Sequence, residues 1–195
     1  MMNALTIDVE SWVYRDFGYD GHLIDADIKY GCLETQVSQI LSILERYGVA
    51  ATWFFLAEIQ EHAPKVLEEV ARAGHEIAFH TYDHKLLRNV RILLEELEKS
   101  EPFLFKFKPR GFRAPWAYLT RDAFSVLAKY GIKYSSSTYG PFNMRMIIDG
   151  VLEIPASSLP LFPFKRKRSM HFPRNLKAAL KMGEIPYGSG ARANP

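Results

Sequence analysis

An α/β architecture of mainly parallel strands is what this sequence predicts, on three observations. Short apolar runs of strand length alternate with longer segments whose apolar residues recur at helical spacing. That alternation favours βα units over separate all-α and all-β regions. The 195 residues are 48% hydrophobic, enough to bury one sizeable core. No internal repeat and no linker divides the chain, so residues 1–195 are expected to form one domain.

The elements follow in order. Ala4 to Val9 is apolar and strand-like. Leu33, Val37, Ile40, Leu41 and Leu44 predict a helix over Leu33 to Tyr47, with Gly48 as its C-terminal cap. Ala50 to Leu56 is the second strand, and its Trp53-Phe54-Phe55 cluster belongs to the core. Pro64 to Ala73 reads as a helix with Pro in the first turn and Gly74 past the end, followed by a strand from Glu76 to His80. Val90 to Ser100 is a charged helix, Phe112 lies on a short strand, and Arg121 to Tyr130 is a helix closed by Gly131. Lys133 to Ser136 and Val151 to Ile154 are later strands. Residues 185–195 are rich in Gly and Pro and lack any periodicity, which predicts a flexible tail.

Three local patterns carry chemistry. His80 and His84 stand four apart, and on a helical turn that spacing puts two imidazoles on one face, where they can share a metal ion. With six His in the chain, chance alone yields roughly 0.2 such pairs, so the motif needs context. The first strand ends in Asp8 and Glu10, at the carboxyl end where α/β domains keep their chemistry, or else these acids simply begin a solvated loop. In Gly111-Phe112-Arg113-Ala114-Pro115-Trp116, Arg113 is either a bidentate clamp for a carboxylate or a surface Arg before a turn Pro.

Taken in this order, the motifs resemble the polysaccharide deacetylase family, carbohydrate esterase family four, from about Ala4 to about Phe164. Ala51 to Leu56 and Ala73 to His80 look like that family's second and third strands. The Asp-Val-Glu of the first motif resembles the branch found among exopolysaccharide-associated deacetylases. The resemblance implies an incomplete or distorted (β/α) barrel of mainly parallel strands, and a metal-dependent hydrolase that removes acetyl groups from N-acetylated sugars. By the same resemblance His80 and His84 are metal ligands, Asp8 is the catalytic base and Arg113 positions that base. Val9 stands where the family usually has a second Asp, so Glu10 is the available third ligand. Two imidazoles and a carboxylate suit zinc first, with cobalt, nickel, iron or manganese as alternatives.

Such a site would polarise an amide carbonyl and acidify a water, with Asp8 removing its remaining proton. Backbone N–H groups near Pro115 and Trp116 are candidates for stabilising the oxyanion. Trp116 and Tyr118 would stack on a sugar ring or cover a core, and Pro115, Trp116 and Tyr118 form the expected substrate-binding set. The family's late-strand general-acid His has no convincing counterpart, and the setting of His171 does not resemble it. The chain therefore reads as one lacking the family's last strands or as a divergent member. Two other readings stay open: a metal-independent hydrolase of another small amide or cyclic ureide, and a noncatalytic saccharide-binding protein.

The remaining features exclude more than they assign. A formal charge of +3 argues against nucleic acid as a partner. No apolar run reaches the ~20 residues of a membrane span, and the N-terminus lacks signal-peptide features, so the expected location is cytoplasmic. Lys165-Arg166-Lys167-Arg168 after an aromatic, proline-broken stretch is either a solvated loop or a contact for an anionic surface or lipid-linked saccharide. Cys32 is the single cysteine, expected to pack against a helix as a thiol. His75 at a strand start is expected to be a hydrogen-bonded structural histidine, and Asp83 either orients an imidazole or turns the chain. An incomplete barrel could leave strand edges exposed and favour oligomers.

Overall fold

The structure, a computed structural model, describes residues 4–10, 32–140, 145–157, 186–187 and 191–192. His22, His171 and the basic run Lys165 to Arg168 lie outside the described residues. The chain divides into two compact units, residues 1–84 with 99–109 and residues 85–98 with 110–195.

The first unit is built on three parallel strands, β1 (Leu5–Val9), β2 (Ala51–Phe55) and β3 (Glu76–Phe79), with β2 in the middle. Helix α1 (Leu33–Tyr47) buries Leu33, Val37 and Leu44, three of the five residues whose spacing predicted it. Gly48 closes α1 in the left-handed conformation at φ 61°, where a Cβ would be strained. Helix α2 (Ile59–His62) is a single turn, and α3 (Pro64–Arg72) starts with Pro at its first turn and buries Val66, Leu67 and Val70. Trp53, Phe54 and Phe55 are wholly buried, as expected of a strand covered on both faces.

The second unit holds most of α4 (Val90–Lys99), whose first turn is capped by Asn89 Oδ1 accepting the Ile92 N–H at 3.1 Å. In the first unit, α5 (Glu101–Phe107) sets Phe103 against Phe79, with ring centroids 5.9 Å apart. The second unit continues with β4 (Gly111–Phe112), a 3₁₀ turn (Pro115–Ala117), α6 (Ala123–Lys129) and β5 (Tyr134–Ser135). After these come β6 (Tyr139–Gly140), β7 (Met146–Ile148), β8 (Val151–Glu153) and β9 (Ala156–Ser157). Strands β4, β5 and β8 are parallel, β7 pairs antiparallel with β8, and β6 pairs with β9.

Parallel strands joined through helices bear out the α/β expectation, and the differences have local causes. The β7–β8 hairpin turns on Asp149-Gly150, both at positive φ, the pairing that matches the twist of a two-residue hairpin loop. Where the sequence predicts a tail without strands, β10 (Pro186–Tyr187) and β11 (Ala191–Arg192) pair antiparallel, since backbone pairing needs no hydrophobic alternation. Cys32 does not pack as expected. Its thiol is exposed and its carbonyl accepts the Gln36 N–H at 3.1 Å at the start of α1.

Candidate metal centre

β1 sorts its last residues by strand alternation. Successive side chains point to opposite faces, so Val9, 4% exposed, turns into the core while Asp8 is exposed. A carboxylate at position 9 would have to be buried opposite Asp8. By the same alternation Glu10, one residue past the strand, returns to the side of Asp8, with its side chain 17% exposed.

The histidines come from the loop after β3, which follows the segment beyond β2. His80 N–H donates to Phe55 O at 2.9 Å, and the carbonyls of Thr81 and Tyr82 accept from the N–H groups of Ala57 and Glu58 at 2.9 and 3.2 Å. Thr81 and His84 then take φ values of 70° and 63°, reversing the chain within the motif. The i, i+4 pair is thus brought together by a loop with two left-handed residues, not by the helical turn that the spacing suggested. For Thr81, β-branched and buried, that conformation is strained. The Tyr82 hydroxyl donates to Glu61 at 2.9 Å, and Lys99 Nζ lies 5.6 Å from its ring centroid, so the far side of the loop is tied down. Partial burial and the Glu61 carboxylate push the Tyr82 phenol up to about 12, which keeps it a donor.

The three side chains converge. Glu10 Oε1 lies 2.8 Å from His80 Nε2 and 3.3 Å from His84 Nε2, and one donor atom from each residue falls within 4.8 Å of the others. The imidazoles stand 5.2 Å apart at 62°, with His80 2% and His84 11% exposed at the side chain. Burial pushes the Glu10 carboxyl up, but hydrogen bonds from His80 and His84 and their charge outweigh it and hold it well below the usual carboxylate range. Three lone-pair-bearing atoms this close oppose one another unless positive charge lies among them, as a proton or a cation. Two imidazole nitrogens and a carboxylate are also a donor set of divalent zinc and its neighbours. The residues therefore fit a metal ion.

Asp8 lies on β1 opposite Phe54 and is not one of the three convergent donors. His75 is structural: its Nδ1 accepts the Ala51 N–H at 3.3 Å and its ring stands 6.0 Å from Trp53.

In the second unit, Arg113 follows β4 and donates through Nε to Ser136 O at 3.1 Å and through Nη2 to Ser136 Oγ at 3.0 Å. Pro115 is buried, whereas Trp116 and Tyr118 are half-buried. Trp116 and Ala117 both have positive φ, 60° and 49°, which forms the tight turn. The N–H groups of Ala117 and Tyr118 donate inside that turn, to Ala114 O and Pro115 O at 3.0 and 3.1 Å, and Pro115 has none. The oxyanion donors expected near Pro115 and Trp116 are correspondingly fewer. A residue missed in the sequence is Glu153, fully buried and bonded to Ser137 and Thr138. Its signal was an acid at a core-facing position of the predicted strand Val151 to Ile154.

The chain is 28% identical over 142 residues to a peptidoglycan deacetylase of Helicobacter pylori, covering 69% of this chain and 48% of that protein. It thus spans about half the length of that relative. A putative polysaccharide deacetylase from Mycobacterium smegmatis has a similar structure, with a TM-score of 0.65 and 26% identity over 83% of this chain and 64% of that one. An allantoinase shares the fold at a TM-score of 0.61 and 17% identity over 78% of this chain and 60% of that one. These likenesses bear out the distorted-barrel α/β class. With residues 25–135, more than half of its length, matching the polysaccharide deacetylase family, the chain belongs to that family.

Proposed function

We propose that this chain is a metal-dependent hydrolase that removes acetyl groups from an N-acetylated saccharide. The observation that carries the reading is the convergence of Glu10, His80 and His84 within 4.8 Å, one residue past a strand that also bears Asp8. Glu10, His80 and His84 would hold the ion, and zinc is the proposed one because this donor set is common at catalytic zinc, with cobalt, nickel, iron and manganese as competitors. A divalent ion bound there supplies Lewis-acid polarisation of an amide carbonyl and acidification of water. Asp8, exposed on the Glu10 side of β1, takes the proton of the attacking water as general base. The family resemblance gives Arg113 the part of keeping that base ionised and oriented. Trp116 and Tyr118, half-buried at a strained turn, offer faces for a sugar ring.

Peptidoglycan, named for the Helicobacter relative, heads the substrates to screen, ahead of exopolysaccharide, oligosaccharide and lipid-linked acceptors. The first experiment is zinc titration calorimetry on the metal-stripped chain beside the His80→Ala/His84→Ala variant. One-site binding that the variant loses is expected, followed by zinc-dependent acetate release abolished in Asp8→Ala. Absence of zinc binding by the folded chain sinks the proposal. Amide hydrolysis that survives chelation and His80→Ala points to the metal-free reading instead. Sugar binding without turnover, unchanged in Asp8→Ala, points to a saccharide-binding protein.

A further inference from the structure

Glu153 ends β8 with no exposed surface, and its carboxyl is used unequally. Oε1 accepts the Ser137 N–H at 2.9 Å and the Thr138 hydroxyl at 2.8 Å. Oε2 is buried and has no hydrogen-bond partner among the described residues. Burying such an oxygen costs free energy that a Leu of similar volume would not. Stability therefore gives no reason for an acid here, whereas the two bonds of Oε1 do.

Those bonds fall on the segment that grips Arg113. Beyond β5 the chain is fixed residue by residue. Ser136 N–H donates to Phe112 O at 2.9 Å, Ser137 Oγ accepts the Ala114 N–H at 2.9 Å, and Ser135 and Ser137 hydroxyls stand 2.8 Å apart. Ile154 N–H donates to Ser135 O at 2.7 Å and Ala156 N–H to Thr138 O at 2.8 Å, so β8 and its extension hold the backbone on both sides of Ser136. Ser136 in turn receives Nε and Nη2 of Arg113 on its carbonyl and its hydroxyl. Two bonds from one planar guanidinium to one residue define the plane of the fork and the direction of its remaining donors.

We propose that Glu153 is a positioning residue: by holding Ser137 and Thr138 it locks the segment from Ser135 to Thr138 in the conformation that presents Ser136 to Arg113. Its effect on the reaction rests on the proposed part of Arg113 in deacetylation, while its effect on the guanidinium does not. The acceptor matters and the charge does not, so Gln, which keeps an Oε1, substitutes for Glu153 where Leu fails.

The test follows the Arg113 Nε–H signal in ¹H–¹⁵N spectra of the full chain, assigned by its loss in Arg113→Lys. Protection from solvent exchange is expected in the wild type and in Glu153→Gln. A drop of about tenfold is expected in Glu153→Leu, with Thr138→Val, which removes one of the two bonds, in between. Unchanged protection in folded Glu153→Leu overturns the proposal, and Thr138→Val decides it in the same way if the Leu variant does not fold. Once acetate release has been detected, kcat should fall in Glu153→Leu at similar KM and recover in Glu153→Gln. Unchanged kcat overturns the catalytic half. A wild-type chain that releases no acetate fails the deacetylase reading alone, because the Arg113 signal still decides the positioning.

Discussion

Glu10 and Glu153 are two carboxyls whose surroundings push them in opposite directions, and each direction is a prediction. The folded state holds Glu10 below its ordinary value of 4.5, through His80 and His84 against the opposing effect of burial. A depressed carboxyl adds stability that is present above the unfolded value and lost as pH falls through the folded one. Glu153 is raised above 4.5 by burial, only partly offset by the polar groups of Ser135, Thr138 and Ser137 around it. A raised carboxyl adds stability that is full below the unfolded value and lost as pH rises towards the folded one. Thermal melts of the metal-free chain should therefore show Glu10→Gln losing less stability than wild type on acidification below about pH 4.5. Glu153→Gln should gain relative to wild type as pH rises above about 4.5. Parallel pH curves for variant and wild type would refute either assignment. For metal, Glu10→Gln should weaken zinc binding by more than the roughly 10–100-fold that loss of a ligand's outer partner costs, read by calorimetry.

Elements place these residues by rules of very different reach. Strand alternation accounts for the faces of Asp8, Val9 and Glu10, and β1 itself was legible in the apolar run from Ala4 to Val9. The loop after β3 was not, because its course is set by the carbonyls of Thr81 and Tyr82 pairing with Ala57 and Glu58, residues more than twenty positions earlier. Close packing between β4 and β5 gives a further prediction. A Cβ on Gly111 would collide with the ring of Tyr134, so Gly111→Ala should cost about 1–3 kcal/mol by overpacking. A lowered urea midpoint at unchanged slope would register it. In a Tyr134→Ala background the cost should largely vanish, because the two sites share one space. An equal cost in both backgrounds would place the strain elsewhere.

At the scale of the molecule, the metal centre joins the end of β1 to a loop some seventy residues later. An ion that binds only the folded chain stabilises it by mass action, by about 2.7 kcal/mol at a hundred times Kd. For a chain of this size that is a rise in Tm of roughly 5–11 °C. The expected outcome is such a rise on adding zinc, absent in His80→Ala/His84→Ala. A rise of the same size in the variant would mean that zinc binds elsewhere. Exposed Leu5 on β1, together with Ile43 and Tyr47 on α1, also makes oligomeric state worth measuring by light scattering.

What the sequence determined by itself was whatever depends on neighbours a few residues away. The helical spacing of Leu33 to Leu44, the strand pattern of β1 to β3 and the cap at Gly48 all follow from local sterics and from which face must leave water. Ordered motifs also identified His80, His84, Asp8 and Glu10 as one candidate set, because short patterns in sequence survive as residue types even when their geometry is unknown. Tertiary structure alone decided that the histidine pair sits on a strained loop and that this loop comes within reach of Glu10. It alone decided that a buried Glu153 stands behind the serine that holds Arg113. Those facts arise from side chains meeting across strands, where distance in space is set by pairing and packing and leaves no periodic trace along the chain.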